Sequence, residues 1–280
     1  MISSGLTSVV FGLASAACWG AGDFCGGLAT KRTHVYNVII SSQIVSVFLL
    51  IGLALAFGET LPSGDYLLLG GVAGLAGAAG LISLYRALAT GRMGVAAPVS
   101  AVVGAGFPVM IGALTEGVPR TLQLIGFGVA FLAVWFISRA GSTDFQIRDL
   151  GLPLLAGLSF GVFFVIIGRL SDNAILWPLV AARFASLSAL WIVATLSRQP
   201  RIAAKAQLPL IVLIGIMEVG GNAFYALAGH VGRLDVAAVV ASLYPATTVW
   251  LAWLILKEHL SRSQLLGIVA ALAAIVLISV

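Results

Sequence analysis

The apolar positions of this chain come in long unbroken runs, such as Val35 to Phe57 and Gln123 to Ser138. Runs of ~17–25 apolar residues are what a helix needs to cross a hydrocarbon layer. Polar breaks between the runs are short: Thr30-Lys31-Arg32-Thr33-His34, then Gly58 to Asp65, then Glu116 to Arg120. Only Arg139 to Asp149 and Ser197 to Gln207 are longer, and no soluble domain fits in either. Counting runs between breaks predicts ten helices. The first five fall at 5–28, 35–57, 66–90, 94–115 and 121–138. The second five fall at 150–170, 175–197, 207–230, 235–256 and 262–280. The fold class expected is an all-α membrane protein of ten transmembrane helices.

Composition narrows this further. The chain is 60% hydrophobic and 9% charged, against about 25% charged residues in ordinary globular chains, which excludes a soluble domain. Its 33 glycines suit membrane helices, where small residues let backbones approach closely. The net charge of +5 does not imply a nucleic-acid partner, because the Lys and Arg residues are scattered among short loops. Cys18 and Cys25, seven apart on one apolar segment, share a face but lie too far apart to bridge, and two ligands make no metal site. They read as packing thiols, and neither metal nor cofactor is expected. The first segment lacks a basic leader and is too long for a signal peptide, so it reads as a retained helix.

The chain also repeats itself. An offset of 141 residues lays Gly91–Ser138 on Gly232–Ser279 without a gap, with 14 of 48 positions identical. The matches include Gly91-Arg92 with Gly232-Arg233 and Gln123-Leu124 with Gln264-Leu265, which apolar composition alone does not explain. The same offset pairs Gly74 with Gly215 and Trp19-Gly20 with Phe160-Gly161. Two halves follow, 1–140 and 141–280. Five helices per half is odd, so the halves must insert upside down relative to each other. Of thirteen loop-associated basic residues, ten lie on one side and only Arg120, Arg169 and Arg233 on the other. The positive-inside rule makes the ten-residue side cytoplasmic and both termini non-cytoplasmic.

The closing stretch carries a family resemblance. Ala241-Ser242-Leu243-Tyr244-Pro245 leads through Leu251-Ala252-Trp253-Leu254 to Lys257-Glu258-His259-Leu260-Ser261, followed by Gln264-Leu265-Leu266-Gly267 and an apolar helix. With ten segments and a five-plus-five repeat, this resembles the EamA-type branch of the drug/metabolite transporter superfamily. The resemblance implies a Pro within the ninth helix, a Glu-x-Leu loop and a Gln-x-x-Gly start to the tenth. The first half departs from the pattern: Gly104 stands opposite Pro245, with prolines at Pro98 and Pro108 instead. The substrates implied range from amino acids and amines to sugars and nucleotide sugars.

Four ionisable side chains fall within predicted helices: Asp23, Arg86, Arg183 and Glu218. Each costs about 2.5–3.5 kcal/mol at a helix centre, so each should face a partner or a wet cavity. Their repeat equivalents are Phe164, Leu227, Ser42 and Gly77, none charged, which favours function over scaffold. The alternative is two structural ion pairs, Asp23 with Arg86 and Arg183 with Glu218. Glu218, Asn222 and Tyr225 follow i, i+4, i+7 and are expected to form one polar cavity wall. Trp19 and Asp23, at i and i+4, suit a cationic or zwitterionic amine through charge and cation–π attraction; an interfacial anchor is the other reading of Trp19. Tyr244 sits beside the proline expected to kink the ninth segment. Gln43 is either a cavity residue or an interhelical hydrogen-bonding group.

The sequence holds no His-Glu-x-x-His, nucleophile elbow or Walker A stretch, so no enzyme is expected. The expected function is secondary transport, as an exporter, of a small polar metabolite such as an amino acid or amine across a bacterial inner membrane. Alternating access around a midplane site, coupled to protons through Glu218 or Asp23, would be the mechanism. A sugar or other neutral-metabolite permease and a lipid-linked flippase are the alternatives. The partners expected are the small-molecule substrate and membrane lipids. Small-residue faces on the fifth and tenth segments permit a homodimer without demanding one.

Overall fold

The computed structural model describes residues 4–30, 32–90, 93–138, 150–200, 202, 205–257 and 261–279. Among them are eleven α-helices and no strand. The first five are α1 (Ser4–Thr30), α2 (Val35–Ala56), α3 (Gly64–Thr90), α4 (Met93–Thr115) and α5 (Thr121–Ser138). Then come α6 (Gly151–Leu170), α7 (Leu176–Leu196), α8 (Leu208–Val231), α9 (Leu234–Ala241), α10 (Tyr244–Leu256) and α11 (Arg262–Ser279). Seven stretches of the described residues are long and apolar enough to cross a membrane, with α9 and α10 joined as one, Leu234–Leu256. Three shorter apolar stretches lie in α4, α5 and α11, at Val99–Thr115, Thr121–Phe136 and Arg262–Ile278. The chain is a multi-pass membrane protein. The polar break expected at 139–149 lies outside the described residues.

Where one kinked helix was expected over 235–256, the chain forms two. α9 ends at Ala241, and Ser242 and Leu243 turn the backbone before α10 starts at Tyr244. Proline has no N–H to donate and its ring opposes the carbonyl four residues back, yet it fits the first turn of a helix well. Pro245 therefore starts α10 rather than bending a continuous helix, and the break falls just upstream of it. The Ser242 amide closes on the Ala238 carbonyl, and its Oγ donates to the Val239 carbonyl at 2.7 Å. In the first half, α4 runs unbroken through Pro98 and Pro108.

The helices pack across the two halves of the chain. α1 lies against α8, and α6 against α3 and α4; α2 packs on α7 and α8, and α7 also on α3. α9 and α10 both lie against α1, and α9 also meets α4. Close crossings are made where a side chain is missing. Gly74 faces the Ala182 backbone and Gly215 the Ser42 carbonyl, and neither leaves room for a Cβ. α5 and α11 pack chiefly on each other and share a core with α1, α4 and α9. Their small faces, Ala130, Ala133, Ala271 and Ala274, are buried against each other within the chain.

One cap holds the α2–α3 turn to the bundle. The Glu59 carboxylate accepts from the amides of Ile175, Leu176 and Trp177 at 2.9–3.1 Å, and the Trp177 Nε1–H donates to the Glu59 carbonyl. These are the first amides of α7, which have no partner inside the helix and sit at the positive end of its dipole.

Candidate functional site

The inner face of α1 defines the site. Gly22 lies against Met217 and Glu218 of α8, while Gly20 lies against Thr247 and the Tyr244 carbonyl of α10. Trp19, Asp23, Gly27 and Thr30 lie between these two contact lines, at spacings of four, four and three residues. Asp23, Gly27 and Thr30 are exposed, in a stripe flanked by Met217 and Glu218 on one side and by Tyr244 and Thr247 on the other. An exposed stripe between two lines of close helix contact forms a cleft along α1, and its exposed positions run to the last residue of that helix.

On the far wall, Arg183 of α7 and Glu218 of α8 form an ion pair, Nη1 to Oε2, at 3.0 Å. Their side chains are 15% and 33% exposed, so the pair borders the cleft without being sealed off from it. This is one of the two pairs weighed from the sequence. For the other, the Arg86 side chain lies outside the described residues, and Asp23 has no described partner cation. Tyr244 is half-buried at the start of α10, where the Asp23 charge reaches it.

Trp19 closes the cleft from within. Its ring stacks at a tilt on Phe164 (centroids 5.4 Å apart) and Tyr225 (5.9 Å), and those two lie 5.0 Å apart. Gly221 makes this possible, because any Cβ there would meet the indole. Trp19 thus sits inside the bundle and is no interfacial anchor. Phe164 is the repeat equivalent of Asp23, so one pair of related positions supplies an acid on one side and an apolar ring on the other.

The face Glu218–Asn222–Tyr225 divides in three. Glu218 reaches the cleft. Asn222 is buried, and its Nδ2–H donates back to the Glu218 carbonyl at 2.9 Å. Tyr225 is fully buried, and its hydroxyl donates to the Phe164 carbonyl at 3.0 Å. A polar stripe does not become a cavity wall when its amide and phenol find backbone acceptors. Gln43 is also buried, at 2% exposure, and its Oε1 lacks a hydrogen-bond partner. Cys18 packs on Gly220 and Cys25 is buried beside Phe24 and Ala29, and no cluster of three metal-ligating side chains occurs among the described residues.

A second polar group went unnoticed in the sequence. At the opposite end of the bundle, Arg233 donates to both oxygens of Asp235, at 3.1 and 2.8 Å, and to the carbonyls of Glu116 and Gly117. The Glu116 carboxylate accepts from the Leu234 amide and pairs with Arg169 at 3.6 Å, while Arg169 also reaches the Thr115 hydroxyl. Asp235 is fully buried. The hydrogen bonds that Arg233 donates to Asp235 raise the Arg233 pKa above its already high value, so the guanidinium stays charged. In sequence these charges stand at segment ends, where charges are ordinary. The available signal was Asp235 one residue inside an apolar segment, opposite Gly94 in the repeat.

An all-helical, multi-pass bundle with an acid-bearing interior cleft has the form of a membrane transporter of small molecules. Residues 150–280, the second half of the chain, match the EamA-like transporter family, the family that the closing stretch of the sequence resembles. A solved crystal structure superposes with a TM-score of 0.79 at 15% identity, over 96% of this chain and 95% of the other. At that identity the likeness shows the fold alone. No curated protein matches.

Proposed function

We propose that the chain is a ten-span secondary transporter, built from inverted repeats 1–140 and 141–280, that exports a small amine-bearing metabolite by alternating access. The repeat reading is supported by the packing. The contact of α1 with α8 has its counterpart in α6 with α3, and α2 on α8 has its counterpart in α7 on α3. The seven long and three shorter apolar stretches together make ten. The basic-residue bias supports a bacterial inner-membrane orientation with the α1–α2 turn cytoplasmic and both termini outside.

The observation that carries the substrate class is Asp23. Arg183 already neutralises Glu218, so the Asp23 carboxylate is the charge left over at the cleft among the described side chains, one turn from the Trp19 ring. A carboxylate beside an aromatic face binds an ammonium group by charge and cation–π attraction. Proton coupling is proposed to run through Asp23, with Glu218 close enough to feel its charge. The purified protein, melted against a panel of amines, amino acids and sugars, tests this, since a bound ligand stabilises by mass action. Stabilisation by amines that is lost in Asp23→Asn supports the reading. Stabilisation by neutral sugars that survives Asp23→Asn would replace it with the permease alternative, and stabilisation by lipid-linked compounds alone with a flippase.

A further inference from the structure

The two ends of the bundle are not in the same state, although the repeat relates them. At the end where α1 finishes, Gly27 and Thr30 are exposed, and no described residue lies within 4 Å of the place a Gly27 Cβ would take. Their equivalents at the other end, Gly168 and Ser171, are buried. There the Leu234 side chain presses on Gly168, and Gly229 of α8 comes within 3.6 Å of the Gly168 Cα, both measured from the place a Cβ would occupy. Among the described residues, Gly168 is covered by Leu234 and Gly229, at the floor of a polar pocket lined by Glu116 and Arg169, and Gly27 is not covered.

The charges differ in the same sense. The covered end carries Glu116, Arg169, Arg233 and Asp235, bonded to one another and to the amide of Leu234. Glu116 belongs to the first half of the chain and the other three to the second, so the network ties the halves together. At the related positions of the other end the sequence holds Lys257, Leu28, Arg92 and Gly94. Both acids are gone from those positions, and Glu258, the acid nearby, stands opposite Gly117. The backbone repeats, but the lock does not.

We propose that the Glu116–Arg169–Arg233–Asp235 network is a one-sided gate, with Leu234 as its plug, that biases the resting protein toward the state open at the α1–α2 end. The gate takes its purpose from the alternating-access reading above, but its existence is measurable without transport. Moving to the opposite state requires Leu234 to leave Gly168, which strains or breaks the bonds from Arg233 and Glu116. An ion network across the moving interface therefore sets the ratio of the two states. Buried against Gly112 of α4, Asp235 holds Arg233 in place from below, and the guanidinium fork clamps the α4–α5 turn from above.

Two reporters in a Cys18→Ser, Cys25→Ser background test the gate in membrane vesicles of both orientations. Ser171→Cys sits buried beside Gly229 at the end that carries the network, and Thr30→Cys at the other end; each is labelled with a membrane-impermeant maleimide from its own side. With the network intact, Thr30→Cys labels readily and Ser171→Cys slowly. Arg233→Ala is expected to raise Ser171→Cys labelling on the order of tenfold, the scale of a typical coupling free energy, and to lower Thr30→Cys labelling in step. Glu116→Gln keeps an acceptor for the Leu234 amide but removes the charge facing Arg169, so it should shift both reporters the same way, by less. It also serves where Arg233→Ala fails to fold. A rise at 171 with no fall at 30 would mean local fraying and would overturn the gate, as would no change at either. Failure of the amine panel leaves these outcomes untouched, so the two readings fail separately.

Discussion

The Arg183–Glu218 pair decides whether the intramembrane charges are scaffold or site, and a double-mutant cycle separates the two. At 3.0 Å and an effective dielectric of about 20, the gross attraction is about 5 kcal/mol. Water reaches the Glu218 side chain, which is 33% exposed, so the net worth is smaller. Glu218→Gln leaves Arg183, 15% exposed, without its partner. We expect that single change to cost about 2–3 kcal/mol, below the range for fully buried pairs. Arg183→Gln should cost a similar amount. The double variant orphans no charge and should cost no more than either single, giving a coupling energy of about 2 kcal/mol. Thermal or denaturant unfolding in detergent measures all three. Additive singles, with a coupling below about 0.5 kcal/mol, would refute the claim that the pair is energetically joined. The ligand response then assigns its role. If the pair borders the site, amine-induced stabilisation falls in the double variant even though its stability is recovered. Full stabilisation there would make the pair a strut and leave Asp23 alone as the binding charge.

Other substitutions test the framework around the cleft. Glu59→Ala removes the acceptor of three α7 amides and should cost about 1–2 kcal/mol in unfolding measurements; Glu59→Gln, which keeps one acceptor oxygen, should cost less. Tyr225→Phe deletes a buried hydrogen bond to the Phe164 carbonyl and should lower stability by about 1 kcal/mol while leaving amine binding intact. Gly221→Ala pushes a methyl into the Trp19 ring and should destabilise by about 1–3 kcal/mol. It should also weaken amine binding more than Tyr225→Phe does, because the ring beside Asp23 must move. Gln43→Met removes a buried acceptor that has no partner and should leave stability unchanged or raise it. Lost amine binding in that variant would bring Gln43 into the site.

The helices were legible because hydrocarbon imposes long apolar runs, and the observed elements follow the predicted segments to within a few residues. The one element read differently, α9–α10, turns on a local choice. Pro245 showed that the helix must be disturbed, but whether it bends or restarts depends on Ser242 and Leu243 closing a turn on α9. At the site, spacing placed Trp19 and Asp23 on one face, and the structure keeps them there. Spacing misjudged Asn222 and Tyr225, because a shared face says nothing about which backbone carbonyls lie opposite it. The carbonyls of Glu218 and Phe164 take up both groups. The gate network was invisible for a related reason. Its charges are remarkable only because they meet across α4, α6 and α9, and no single segment shows that meeting.

Under the proposed function, the asymmetry suits a duplicated scaffold put to a directional use. Two inverted halves with equal ends would favour neither side, and the resting state would be set by the membrane alone. This chain breaks the equality in two places with few changes. Phe164 in place of an acid gives the cleft one charged wall and one aromatic wall. Glu116 and Asp235, against Lys257 and Gly94, give it one end that latches and one that does not. On the proposed reading, the wall selects the cargo and the latch selects the resting direction. The Trp19, Phe164 and Tyr225 rings touch one another, and the Tyr225 hydroxyl lies 3.7 Å from the place a Gly168 Cβ would take. On the proposed alternating-access reading, this aromatic layer is the packing that joins the cleft to the latch.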